Sequence, residues 1–457
     1  MSRNGGESER QRVPQPIIKH RIASGRGAME QPNITHDGDA ALTPRFWLAV
    51  LVTGAITGLF GAGLMALLQF VEKLSFSYHG GSYQAAVAAT SGLHRVLTLT
   101  LAGVLGSGCW FLIRRYLRQE RSEIDDAIWN GDGELGARRS LATSVVSEVV
   151  IGMGAPVGRE AAPKLMGGAA GSVLSHWFRL SPAQKRLLVA CGGGAGFAAV
   201  YNVPLGGAIF TAEVMLGSFA LPTVLVALVC SLTATITAWL FLSSSATYVD
   251  VPNYHFSASI MVWSLLAGVV IGLVAVVYIR VLGWVSARRV KGRALLWVMP
   301  ATFAAVGLVG VKYPQLFGNG KDIAHDAFVG VGGIGLLLAL FILKPLVTTA
   351  TLGAGAAGGV FTPFLATGAA LGGFLGLAWT HFWPGSPIGA FAMIGAAAMI
   401  AASMQAPLAG LVLVIELTHS GMDLMIPMMA ATAIATWIVR RVDGYSIYSA
   451  RLPGSGE

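Results

Sequence analysis

Gly158-Arg159-Glu160-Ala161-Ala162-Pro163 sets a guanidinium and a carboxylate between apolar stretches. An ionisable group inside a membrane span costs about 2.5–3.5 kcal/mol on insertion scales, so such a residue either pairs or works. Glycine ahead of Glu160 and an apolar run behind it predict a helix amino terminus here. That end exposes unpaired N–H groups and about half a positive charge, which attracts an anion. Glu160 can then compete with a mobile anion for one position and leave it when protonated. The plain alternative is an Arg159–Glu160 pair. Gly358-Gly359-Val360-Phe361-Thr362-Pro363 offers a second glycine-rich approach with no acid, so the Val360 and Phe361 amides are free to hold an anion from the other side. The alternative there is a packed turn. Fixed dipoles suit a permeating ion, because a lysine or arginine in contact holds it too tightly to leave.

The elements that must position these residues are membrane helices. Only 12% of the 457 residues are charged, 54% are hydrophobic, and mean hydropathy is +0.66. Disorder is excluded by the low charge and high hydrophobicity. Nucleic acid is excluded as a partner, because the +9 net charge forms no basic stripe beside aromatics. Three cysteines are too few for a disulfide framework and read as small apolar residues. Residues 46–71, 214–249 and 345–415 contain no Asp, Glu, Lys or Arg, and a span needs about 20 apolar residues. Glycine and proline interrupt these windows, at Pro363, Pro384 and Pro407 for example. Irregular backbone in a membrane is tolerated only inside protein or beside a watery cavity, so short broken helices predict a transport pathway. Residues 1–42 read as a disordered basic tail, placed in the cytoplasm by its Lys and Arg; they lack the apolar core of a signal peptide. No soluble regulatory domain is expected after Tyr448.

The chain also matches itself. Asn202-Val-Pro-Leu-Gly-Gly-Ala-Ile-Phe-Thr-Ala-Glu213 resembles Gln405-Ala-Pro-Leu-Ala-Gly-Leu-Val-Leu-Val-Ile-Glu416, and Pro163 with Gly168-Ala-Ala pairs with Pro363 and Gly368-Ala-Ala at an offset of 200. Two repeats follow, about 45–240 and 250–440, with a site expected between them. Gly353-Ala-Gly-Ala-Ala-Gly358 fits a dinucleotide fingerprint only by letter, since no acid follows before Glu416.

Together these residues resemble the CLC chloride channels and proton-coupled chloride transporters, over about residues 45–452. Gly158-Arg-Glu is similar to the family's external-gate motif, Gly359-Val-Phe-Thr-Pro363 to its anion-binding motif, and Asn202-Val-Pro-Leu and Gln405-Ala-Pro-Leu to its paired helices. Ser446-Ile-Tyr-Ser449 resembles the segment whose tyrosine meets the central anion. The resemblance implies an all-α polytopic membrane protein, a CLC-type fold of two inverted repeats with many short broken helices (transmembrane domain 43–452). It also implies a homodimer in the bacterial inner membrane with one pore per subunit. Glu160 is the implied gate, and Gly158, Arg159, Glu160, Gly359, Val360, Phe361 and Tyr448 the implied anion-binding residues. Chloride or a related small anion is the permeant ligand; no metal or cofactor is implied.

Three departures shape the expected mechanism. The family's G-S-G-I-P segment falls where this chain reads Arg118-Gln-Glu-Arg-Ser122, leaving Gln119 as the positional choice for anion selection. Ala161-Ala162 replaces a glycine after the gate, so a different turn is expected. The internal proton-accepting position is Val214, with Glu213 one residue away and about 100° round a helix. Glu213 is therefore only a candidate for a proton path, and Glu416 reads as a buried acid bonded to backbone. Valine at 214, which resembles passive members of the family at that position, favours a passive channel opened by protonation of Glu160, with a chloride/proton antiporter as the alternative. An intramembrane enzyme is remote, because no nucleophile–base pair or metal-ligand spacing is present.

Overall fold

A computed structural model describes residues 40–117 and 123–452. Gln119 and nearly all of the basic tail lie outside the described residues. The first half comprises α1 (Pro44–Phe76), the short α2 (Tyr83–Ala89), α3 (Gly92–Tyr116), α4 (Ile124–Trp129), α5 (Ala137–Gly152), α6 (Ala161–Trp177), α7 (Pro182–Tyr201), α8 (Pro204–Phe210) and α9 (Leu221–Ala238). The second comprises α10 (Ala258–Ala287), α11 (Leu295–Lys312), α12 (Lys321–Phe328), α13 (Ile334–Gly353), α14 (Phe361–Thr380), α15 (Ile388–Met404), α16 (Pro407–Thr418) and α17 (Met425–Val442). With α2 set aside, long and short helices follow the same order in both halves. Among the described residues, eight helical segments are long and apolar enough to cross a membrane. The chain is thus a multi-pass membrane protein built from two inverted repeats.

Local chemistry explains where the helices break. Thr43, Ser91 and Ser257 accept hydrogen bonds from the Phe46, His94 and Ile260 amides, and Ser181 and Gln184 form a capping box on α7. The α7–α8 and α15–α16 junctions are built alike. Asn202 (φ 56°) and Gln405 (φ 59°) end their helices in the left-handed conformation. Val203 and Ala406, each ahead of a proline, are held out of the helical region at φ −130° and −135°. Pro204 and Pro407 then start the next helix, where a missing N–H costs nothing.

Helix packing corrects the repeat register. A side chain on Gly167 would meet the Gly192 carbonyl, and one on Gly171 the Leu188 carbonyl. In the second half Gly368 faces the Gly395 carbonyl and Gly372 the Phe391 carbonyl. Gly167 therefore corresponds to Gly368, an offset of 201, and the Gly-Ala-Ala match at 200 is off by one. Letter similarity aligned small residues in general, whereas close backbone approach selects only those on the contact face.

The two acids of the repeat cap each other's helices. Glu416 accepts from the amides of Leu205 (3.1 Å) and Gly206 on α8, and Glu213 from those of Leu408 (3.2 Å) and Ala409 (2.6 Å) on α16. A carboxylate on otherwise unpaired first-turn amides is favourable at a helix amino terminus. Thr211–Met215 is a π-turn, so the 100° spacing expected around Glu213 does not apply there. Glu416→Ala is expected to lower the stability of the detergent-solubilised protein by about 1–3 kcal/mol, the cost of stranding such amides. Thermal unfolding reads that loss.

Candidate functional site

The amino termini of α6 and α14 meet head-on. Gly158 and Gly359, each just ahead of its helix, exchange N–H···O bonds of 2.7 Å in both directions as one antiparallel bridge. Glu160 caps α6 from a helical conformation (φ −69°, ψ −22°). The turn therefore needs no left-handed residue at Ala161 or Ala162, which sit inside the first helical turn.

From that position the Glu160 carboxylate crosses to the other repeat. Its Oε1 accepts from the Phe361 amide at 2.8 Å, the first amide of α14. Its Oε2 lies 3.2 Å from the Tyr201 hydroxyl and 3.3 Å from that of Thr362; those hydroxyls are 2.7 Å apart and share their two protons among these contacts. The side chain is 4% exposed. A Cβ on Gly158 or Gly359 would overlap this carboxylate, so a larger residue at the bridge would displace Glu160. Val360, the α14 cap, is buried beside it. Arg159 lays its guanidinium carbon 5.1 Å above the Tyr201 ring, so the structure favours stacking over the simple Arg159–Glu160 pair.

A cavity of about 120 Å³ opens on one side of Glu160, bounded by Val360, Tyr448, Lys164 and Asp125. Arg114, Arg289, Arg451 and Glu123 also line it, with Arg289 paired to Glu123 at 2.9 Å. Tyr448 is buried, its hydroxyl 4.0 Å from the Met404 sulfur. Glu160, Gly359, Val360 and Tyr448 thus share one cavity wall. Gly158 and Phe361 contribute backbone bonds behind it. Glu213 is elsewhere, occupied on α16.

Tyr201, Thr362 and Lys164 were not legible as site residues. Tyr201 directly precedes the repeated Asn202 motif and Thr362 stands inside the Gly359–Pro363 motif, but neither sequence position reveals a contact with Glu160. Lys164 carried a usable signal, a lone cation in an apolar run one turn after Glu160. Lys164 borders the same cavity as Glu160. Lys164 is only 7% exposed and is tolerated because Asp125 neutralises it at 2.8 Å.

Residues 103–440 match the voltage gated chloride channel family. The chain belongs to the CLC family. A CLC protein of Ralstonia nicotianae named putative chloride channel protein ClcB-like is 31% identical over 420 residues, covering 87% of this chain and 96% of that one. The H(+)/Cl(-) exchange transporter ClcA of Yersinia pseudotuberculosis is 29% identical over 416 residues, with 88% and 86% covered. Among solved structures, a slow cyanobacterial Cl-/H+ antiporter matches with TM-score 0.78 at 23% identity, over 89% of this chain and 97% of that one. A CLC-type fluoride/proton antiporter matches with TM-score 0.73 at 21% identity, over 90% and 98%. These two share the fold. As a CLC protein, the chain transports anions and is not an enzyme.

Proposed function

We propose that this CLC protein exchanges chloride for protons, with Glu160 serving as both gate and proton carrier. One observation carries the reading: the Glu160 carboxylate stands on the Phe361 amide at 2.8 Å, the place where an incoming anion would rest. A carboxylate accepts more strongly from an amide than its protonated form does. Deprotonated Glu160 therefore holds the site closed, and proton uptake frees it for chloride. Because one position takes either the carboxylate or the anion, proton loading and anion loading are linked. Val360 and Phe361 offer backbone, and Tyr448 its hydroxyl, to the bound ion. The exchange activity in the name of the Yersinia relative supports this reading over the passive channel favoured by Val214.

The cavity side of Glu160 faces the cytoplasm in this proposal. Arg114 and Arg289 line that cavity, and Arg139, Lys185 and Arg441 stand in the first or last turns of α5, α7 and α17, with Arg139 donating to the Leu117 carbonyl, Lys185 paired with Glu134 and Arg289 with Glu123. Basic residues concentrate on the cytoplasmic face of inner-membrane proteins. The same orientation puts the amino terminus inside. A homodimer is proposed from α8 and α16, whose outer face carries the half-buried Glu213 and Glu416 beside exposed Leu205 and Leu408. Carboxylates toward lipid are costly, and a second copy would cover them.

Reconstituted liposomes with a chloride gradient and no proton gradient test the mechanism. Chloride moving down its gradient is expected to drive protons uphill in the opposite direction. Chloride flux with no uphill proton movement would return the passive channel.

A further inference from the structure

We propose that the Lys164–Asp125 pair is a specificity element of the anion pathway, with Lys164 adding a cationic contact and Asp125 setting how firmly it holds. The inference rests on the anion reading of the cavity and deepens it.

Lys164 stands four residues after Glu160 on α6, so both side chains lie on one helix face. Its Nζ donates to both Asp125 oxygens, at 3.1 and 2.8 Å. An ammonium has three N–H donors, so one remains beyond that carboxylate. The same nitrogen is 4.3 Å from the Tyr448 ring centre and 5.8 Å from that of Phe210. Lys164, Asp125, Tyr448 and Glu160 all border the one cavity. The pair is nearly buried, with side-chain exposures of 9% and 11%.

A structural ion pair has no need to face the ion's cavity, and apolar side chains of similar size usually stabilise as well or better. A role in the pathway accounts for its cost. In a poorly solvated cavity, an ammonium a few ångströms from the anion attracts it far more strongly than it would in water. Unopposed, that attraction would trap the ion, since conduction needs binding weak enough to release. Asp125 supplies the opposing charge. A compact ammonium also favours small, strongly hydrated anions over large ones, and so acts on selectivity.

Removing the aspartate charge alone and removing both charges should therefore have opposite effects. In Asp125→Asn the lysine is left with the anion as its counter-charge, and chloride affinity measured by calorimetry on the purified protein should rise about tenfold or more while turnover falls. In the doubly neutral Lys164→Met/Asp125→Asn, chloride affinity should fall by about the same factor, and liposome flux should shift from chloride toward thiocyanate. Lys164→Arg keeps the charge but spreads it over a broader, more weakly hydrated group, so chloride affinity should stay near the wild-type value while the preference moves part-way toward thiocyanate. Equal weakening in the single and double variants, or unchanged anion preference in the double variant, would overturn the inference. If Asp125→Asn does not fold, the double variant and Lys164→Arg decide it by the same preference readout. A wild-type protein with no saturable chloride flux would instead defeat the anion reading itself, which separates the two failures.

Discussion

Glu160→Gln is expected to abolish proton movement while chloride continues to flow. Glutamine keeps the shape of the side chain and can still accept from the Phe361 amide, but it neither ionises nor carries a proton. Its neutral hydrogen bond is weaker than the charged one by about 1–2 kcal/mol, roughly a tenfold change in competition with an anion for the amide. Chloride flux in liposomes should persist, lose its dependence on pH, and run passively down its gradient. A proton electrode should record only the leak of protein-free vesicles. Retention of uphill proton transport by this variant would remove Glu160 from the mechanism.

Gly359→Ala is expected to impair coupled transport through Glu160. The added carbon would overlap the Glu160 carboxylate, and the nearest atoms in its way all belong to that one side chain. Either the carboxylate is expelled from the Phe361 amide or the Gly158–Gly359 bridge opens. Proton-coupled chloride transport should fall at least about tenfold in either case, whereas in the Glu160→Ala background the same glycine substitution should leave the passive chloride flux nearly unchanged, since the obstructing atoms are then gone. The double-mutant cycle should give a coupling of about 1–3 kcal/mol, the range for groups in contact. Additive losses would mean that the glycine serves the backbone alone.

Several parts of this site were visible without coordinates. The acid at 160 and the glycine-flanked Val360–Phe361 backbone stood out because charge and glycine are rare companions within a span. Glu213 and Glu416 stood out through the repeat, although their reciprocal capping of α16 and α8 did not, because each acid reaches amides about 200 residues away. Lys344 shows the same difficulty. It is wholly buried, and its ammonium bonds the carbonyls of Leu316 (3.2 Å) and Gly318 (2.6 Å) across the fold. In sequence it is only the last charge before a long apolar window.

The order of residues alone determined that this protein lives in a membrane, repeats itself, breaks its helices at proline and glycine, and carries one acid at a helix start. Those properties are local: hydropathy, backbone freedom and unpaired amides act within a few residues. The folded chain decided what the acid touches, which glycines face a backbone, and where a lysine can be buried. Such contacts join segments far apart in sequence, and their energies depend on ångström-scale distances and excluded water that no run of letters specifies.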